Sequence, residues 1–389
     1  MSRTSVLSAR ALSALLLALS LPIAAQSPDA PASSASVPEA SPAAPPAAMT
    51  IPSDDPSMLT SEIMPRASHS LLLDVTHTAS GFFVVGERGH ILSSSDGQTW
   101  KQQAVPTRST LTSITTADGQ LWAGGHDGVI MHSADGGQTW SAQRRDPFQL
   151  QPQEDPADHD PRQGSPILDI LFIDANTGIA IGANSLMLMT TDGGVTWTPK
   201  QALPQTTAAP AAAPVADASG VFSQDQLTLG AETDPHFNSI THTGSGALAI
   251  VGERGTFVRS RDGGATWQKA GFPYAGSMFG VLSWDGDHIL AFGLRGNIYE
   301  SDDLGDNWHK VDSGVNSSLI GGQALANGGA ILVGSNGVVL TRKDAASPFV
   351  LSNYHNAAGE TPVLANAFDA GNGQYLLIGD KGVDLYQPK

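Results

Sequence analysis

Gly252–Trp267 reads GERGTFVRSRDGGATW: a G-x-x-G turn, a run of strand length, and an acidic turn of the form S-x-D-x-G-x-T-W. With Gly252 as zero, Ser260 falls at +8, Asp262 at +10 and Trp267 at +15. The same ruler leads from Gly125 to Ser133, Asp135 and Trp140, from Gly182 to Thr190, Asp192 and Trp197, and from Gly293 to Ser301, Asp303 and Trp308. From Gly86 it finds Ser94 and Asp96 in place, with Trp100 one residue early. From Gly334 it finds Arg342 at the Ser position, Asp344 in register and Phe349 for the Trp, and a seventh copy starts at Gly379.

Each copy sits in a unit with four strand signals. In one unit these are LTSITT from Leu111, LWAGG from Leu121, VIMH from Val129 and a last strand opened by Thr139 and Trp140, separated by Asp118-Gly119, Gly125–Gly128 and Asp135–Gln138. Four short antiparallel strands recurring at intervals of about 40 residues make one propeller blade. Seven turn starts predict an all-β, seven-bladed β-propeller of four-stranded antiparallel blades over residues 58–389. The seventh unit ends after three strand signals, and Met64-Pro65 before Leu71 parallels Val105-Pro106 before Leu111. An unpaired edge invites aggregation, so Met58–Met64 is expected to form the outer strand of the last blade and close the ring.

Composition agrees with many short strands: 42 Gly and 25 Pro punctuate a sequence with 15% charged residues. Arg3 and Arg10 precede an apolar run from Ala11 to Ala25 that ends in small residues, which predicts a secretory signal peptide over 1–25; the rival reading is an uncleaved anchor, for which the run is short. No further membrane span is expected after cleavage. The Ala/Pro/Ser-rich 26–57 reads as a disordered tether. Location is therefore expected to be periplasmic or secreted. Without any Cys, neither a disulfide framework nor a lipidated Cys is available. The net charge is −17; removing the leader takes away two Arg and no acid, leaving −19, which disfavours nucleic acid and anionic lipid as partners.

Two spacings break the rhythm. Trp140 to Trp197 is 57 residues and Trp197 to Trp267 is 70, against 40 or 41 elsewhere, which places insertions at about 144–166 and 204–235. Both join a fourth strand to the next blade's first, so both are expected on the G-x-x-G face, opposite the acidic turns.

The acidic-turn residues Asp96, Asp135, Asp192, Asp262 and Asp303 read as structural, because a carboxylate in a tight turn accepts neighbouring backbone N–H bonds. Catalysis would not need the group in nearly every blade. Trp100, Trp140, Trp197, Trp267 and Trp308 are expected to pack between blades. The variable G-x-x-G positions differ from blade to blade: Glu87-Arg88, His126-Asp127, Ala183-Asn184, Glu253-Arg254, Leu294-Arg295, Ser335-Asn336 and Asp380-Lys381. Arg88, Arg254, Arg295 and Lys381, with Glu87 and Glu253 beside them, form the candidate partner-binding set, since Arg suits bidentate recognition of carboxylates. The plainer reading is that these cations pair with neighbouring acids as solvated turn charges. No metal site is predicted: no His pair has helical ligand spacing, and Asp302, Asp303 and Asp306 resemble a calcium loop only in their acidity. No cofactor motif, P-loop or nucleophile elbow is present.

The WAGG/VVGERG strand, the x-I-L-x-S strand and the D-G-G-x-T-W turn, repeated behind a signal peptide, resemble the photosystem II stability/assembly factor family of Asp-box propellers. The resemblance covers roughly Met58 to Lys389. It implies a non-enzymatic accessory that binds exposed segments of a membrane protein and uses an Arg patch by the pore, to which Arg88, Arg254 and Arg295 are matched. It also implies, for members outside photosynthetic organisms, envelope transporters of the resistance-nodulation-division type as partners. The two insertions and the tether depart from the photosynthetic pattern. Sialidases share the Asp-box, which keeps a glycoside hydrolase or a carbohydrate-binding propeller as alternatives; the F/Y-R-I-P motif of that class is absent, and of five Tyr only Tyr274 lies in a connection on the G-x-x-G face.

Overall fold

The computed structural model of the protein describes residues 54–146, 164–203 and 234–388. The expected leader, nearly all of the expected tether and most of both insertions lie outside the described residues.

Seven antiparallel sheets follow one another in sequence order. Their innermost strands are Leu72–Thr78, Leu111–Ala117, Ile167–Phe172, Phe237–His242, Met278–Ser283, Leu319–Ala324 and Leu364–Gly371. Each inner strand touches the next, and the last touches the first, so the sheets close a ring around a channel. Six blades have four strands and the seventh has three, Leu364–Gly371, Gln374–Gly379 and Gly382–Tyr386. The fold is the expected seven-bladed β-propeller.

Apolar burial is divided among seven seams. Each seam joins the second and third strands of one blade to the first and second strands of the next, as where Phe83, Val85 and Ile91 meet Leu111, Ile114 and Leu121. The Asp-box Trp enters the seam between its own blade and the one before: Trp100, Trp140, Trp197, Trp267 and Trp308 each belong to such a cluster, and Phe349 takes the same place in the sixth blade. The Asp-box holds that ring in place. In the fourth blade Asp262 Oδ1 accepts from Thr266 N (2.8 Å) and from Ser260 Oγ (2.7 Å), Oδ2 accepts from Thr266 Oγ1 (2.6 Å), and Ser260 Oγ accepts from Gly264 N (2.8 Å). These donors hold the Asp262 carboxyl down at about 2, and Asp96, Asp192 and Asp303 are likewise held at about 2 by their own turns.

The sixth blade uses a different device. Arg342, standing where other blades have Ser or Thr, is buried and makes a bidentate pair with Glu300 of the fifth blade (2.9 and 2.8 Å). Burial alone would raise the Glu300 carboxyl, but bonds from His288 (2.6 Å) and Arg342 outweigh it and hold the group at about 2. Trp284 and Phe349 lie 5.4 and 5.2 Å from the guanidinium carbon. Asp306, considered above for its acidity, instead pairs with Arg259 (2.6 Å) and Arg261 (2.8 Å) across the seam of blades four and five.

Ring closure departs from expectation. Among the described residues Met58–Met64 forms no strand on the outer edge of the seventh blade. The segment runs along the first blade: Ser61 N donates to Val105 O (2.8 Å), Met64 N to Gln102 Oε1 (2.7 Å), and Arg108 donates to Thr60 O (2.8 Å) and pairs with Glu62 (2.9 Å). These partners, distant in sequence, outcompete the open edge. The seam itself is still filled from the N-terminal side, because Met64 and Ala67 pack with Leu72, Trp100, Ile378 and Val383. The joint between first and last blades is thus an apolar seam rather than a shared sheet.

Candidate functional site

The second and third strands of blades one to six are joined by the same turn, starting at an extended Gly (Gly86, Gly125, Gly182, Gly252, Gly293, Gly334). Its second variable residue is left-handed in every case: Arg88 (φ 56°), Asp127 (55°), Asn184 (53°), Arg254 (54°), Arg295 (58°) and Asn336 (62°). Asn and Asp tolerate this conformation because their short side chains bond locally. Asp127 accepts from Ser109 Oγ (2.6 Å), and Asn336 donates to Ser317 Oγ (3.3 Å). Arg, with its long side chain, is a costlier residue than Asn or Asp in this conformation, and three blades hold it at this station.

All three Arg are exposed. Arg254 and Arg295 occupy adjacent blades, and Arg88 lies three blades away in either direction, on the far side of the mouth. Among the described residues the Arg88 and Arg295 guanidinium groups make no hydrogen bond or ion pair. The acids beside Arg88 and Arg254 are engaged with backbone: Glu87 accepts from Leu71 N (3.4 Å), and Glu253 accepts from His236 N (3.2 Å). Lys381 differs from the Arg set, because its turn is the tight Asp380-Lys381 hairpin between Gly379 and Gly382, and its ammonium lies 3.4 Å from Glu360. Tyr274 sits in the seam of blades four and five, stacked 6.3 Å from Tyr299.

The described ends of both insertions are tied to the same turns. Asp146 N donates to Asp127 O (2.8 Å) and Gly164 N to Asp146 Oδ2 (3.1 Å), while Ser185 N donates to Pro235 O (2.9 Å).

Directly behind the turns lies a feature that sequence reasoning missed. Every inner strand bulges at its start, at Leu72/Asp74, Leu111/Ser113, Ile167/Asp169, Phe237/Ser239, Met278/Gly280, Leu319/Gly321 and Leu364/Asn366. A bulge leaves a backbone N–H without its ladder partner, and here the preceding blade supplies one. Asp74 Oδ2 accepts from Ile114 N (2.7 Å), Ser113 Oγ from Ile170 N (3.3 Å), Asp169 Oδ2 from Ile240 N (2.9 Å) and Ser239 Oγ from Val281 N (3.4 Å). Asn366 Nδ2 donates to Asp74 Oδ1 (2.7 Å), carrying the belt across the seventh and first blades. It is interrupted at Gly280 and Gly321, where a Cβ would lie 2.1 Å from the Phe292 ring and 2.1 Å from the Ala365 carbonyl. The belt surrounds a cavity of about 310 Å³. Asp74 and Asp169 line that cavity, and burial pushes the Asp74 carboxyl up to about 6 and raises that of Asp169. The signal was present in the sequence as a buried apolar residue followed two positions later by Asp, Ser, Asn or Gly in every blade.

Such a molecule is a propeller of BNR (Asp-box) repeats with a variable turn face. Its residues 60–151 are similar to YCF48, matching the family model described as Photosynthesis system II assembly factor YCF48, as the repeat led one to expect. The structure "YCF48 bound to D1 peptide" is similar at a TM-score of 0.58 and 15% identity, over 86% of this protein and 99% of that one. YCF48 from Cyanidioschyzon merolae is similar at 0.58 and 16%, over 83% and 96%. The WD40 propeller domain of Doa1 reaches 0.57 at 13% identity, over 86% and 97%, so these likenesses speak for the fold. A curated relative, Uncharacterized protein YkuO of Bacillus subtilis (strain 168), is 38% identical over 58 residues; the match takes in 15% of this protein and 19% of that one's length. Among the described residues no helix is long and apolar enough to cross a membrane, and no group of His, Asp and Glu side chains could hold a metal ion.

Proposed function

We propose that the protein is a non-enzymatic binding scaffold, exported to the periplasm, that docks an acidic segment or a free C-terminus of a membrane-protein client on its G-x-x-G face. Arg88 on one side of the mouth and Arg254 with Arg295 on the other grip the carboxylates, and the insertions rooted at the turns of blades two and three flank the client. The observation that carries this reading is the retention of Arg at a left-handed station where blades two, three and six have Asp or Asn. A residue that costs stability and leaves its guanidinium exposed is kept for something outside the fold. The YCF48 structure with a bound D1 peptide supports a peptide of a membrane protein as the class of ligand, and an envelope transporter complex is a client of the same class.

The test is a crosslinking pull-down from the native envelope with wild-type protein and with Arg88→Asn/Arg254→Asn/Arg295→Asn, which leaves the turn geometry intact. Client recovery is expected to fall by about tenfold or more, as for loss of charge-assisted pairs. Unchanged recovery rejects the Arg mechanism.

A further inference from the structure

The belt contains one arrangement that ordinary hydrogen-bond counting does not satisfy. Ser113 Oγ lies 2.8 Å from Asp169 Oδ1 and 3.1 Å from Asp74 Oδ2, and it also receives the Ile170 N–H at 3.3 Å. A hydroxyl has one proton to give, so it can serve only one of the two carboxylates. The other, if ionised, would face the Ser oxygen with no hydrogen between them.

Each carboxylate is already fixed from outside the pair. Asp74 Oδ1 accepts from Val75 N (2.8 Å) and Asn366 Nδ2 (2.7 Å), and Oδ2 accepts from Ile114 N (2.7 Å). Asp169 Oδ1 accepts from Ile170 N (2.8 Å), and Oδ2 accepts from Ile240 N (2.9 Å). Neither can turn away from Ser113 without releasing backbone donors. A carboxylic acid resolves the conflict, because its hydroxyl can give a proton to Ser113 while still accepting a backbone N–H.

We propose that Asp74 and Asp169 hold one shared proton through Ser113, and that loss of this proton loosens the seams between blades one, two, three and four at the channel mouth. Among the described residues no compensating cation faces the pair. The cavity wall is built from all seven inner strands, and of the described residues that line it Asp74 and Asp169 are the only titratable ones; the rest, including Thr112, Asn238, Ser239 and Asn366, carry no charge. Two like-charged carboxylates, half-buried and bridged by one hydroxyl, do not both ionise readily, and their titration belongs to the pair. Burial drives both groups in the same direction. A carboxyl raised in the folded state stabilises the fold while protonated, and that contribution is lost as pH rises through the folded value. The mouth under the Arg turns is therefore tighter in mildly acidic surroundings than in neutral or alkaline ones. This is independent of what the turns bind.

The experiment uses the full-length wild-type protein with ¹³C-labelled Asp and ¹⁵N-labelled Ile and Val. The Asp carboxyl shifts are followed from pH 4 to 9, and amide exchange, corrected for its intrinsic pH dependence, is read at Ile114, Ile170 and Ile240. Val281, capped by the uncharged Ser239, is the internal control. One carboxyl of the pair is expected to titrate above the ordinary Asp range. Protection at the three Ile amides is expected to fall by up to about tenfold per pH unit between the ordinary Asp value and that step and to level off above it, with Val281 unchanged. Both carboxyls titrating in the ordinary range, or equal pH responses at the Ile amides and Val281, would overturn the proposal. Asp74→Asn, where it folds, is expected to abolish the step; a step that persists unchanged in that variant would overturn the sharing.

Discussion

The two ends of the propeller are built from turns of nearly equal regularity, yet their side chains are used in opposite ways. At the Asp-box end the same carboxylate recurs from blade to blade and is consumed inside its own turn, as in the bonds of Asp262 to Ser260 and Thr266. At the other end the backbone recurs and the side chains do not: the left-handed station is Arg, Asp, Asn, Arg, Arg and Asn from blade one to blade six. Repetition of a side chain marks a part of the scaffold. Variation on a fixed backbone marks a surface free to be specific.

That contrast can be broken at several points. The largest effect is expected where the Asp-box end departs from its own rule: Glu300→Ala leaves Arg342 buried without its partner and should destabilise the fold by about 3–5 kcal/mol, read from urea unfolding. Trp308→Ala, which empties part of the seam between blades four and five, should cost a similar ~3–5 kcal/mol. Next comes acid. The carboxyls of Asp96, Asp192, Asp262 and Asp303 lie at about 2 against an ordinary 3.8, so they stabilise the fold above that ordinary value and lose the contribution as pH falls toward 2. Melting temperature should drop through this window, and Asp262→Asn should make the drop shallower. The belt has the opposite sign, since Asp74 lies at about 6, so the two ends separate on a single pH series. The smallest effect is expected at the turns, where Arg88→Asn, Arg254→Asn and Arg295→Asn should each leave stability unchanged or raise it by less than about 1 kcal/mol. A clear loss of stability there would mean that the Arg side chains belong to the scaffold after all.

The fold was legible because a blade is a local object. Strand lengths, left-handed Gly positions and the Asp-box are each decided within a few residues, so the register from Gly252 to Trp267 carries over unchanged to the copies at Gly125, Gly182 and Gly293 and with small changes to the rest. What the sequence hid were the contacts between copies. Met64-Pro65 has the spacing of Val105-Pro106, but the outer strand inferred from it does not form, because the path of Met58–Met64 was settled by Gln102, Val105 and Arg108 of the first blade. Arg342 looked like erosion of an Asp-box because Glu300, its reason for being there, lies 42 residues away. The belt was overlooked for a related reason. Asp74, Ser113, Asp169 and Asn366 differ chemically, and only the common bulge shows that they do one job. The Arg turns were found because Arg is conspicuous, but their left-handed backbone, which makes Arg informative there, is a property of the folded protein.

The gap in the belt at Gly280 and Gly321 gives the ring a mechanical grain. From blade seven round to blade five, neighbours are laced at the mouth by side-chain bonds to bulge amides or to the belt's own side chains, whereas blades five, six and seven are joined near the opposite end, by Glu300 with Arg342 and by Asp369 N with Gln323 Oε1 (2.7 Å). Between blades five, six and seven the mouth is held by apolar packing, through the seam of Leu290, Phe292 and Leu319 and that of Ile331, Val333 and Leu364. Arg295, on blade five, stands at the border between the arc laced by polar side chains and the arc joined by packing.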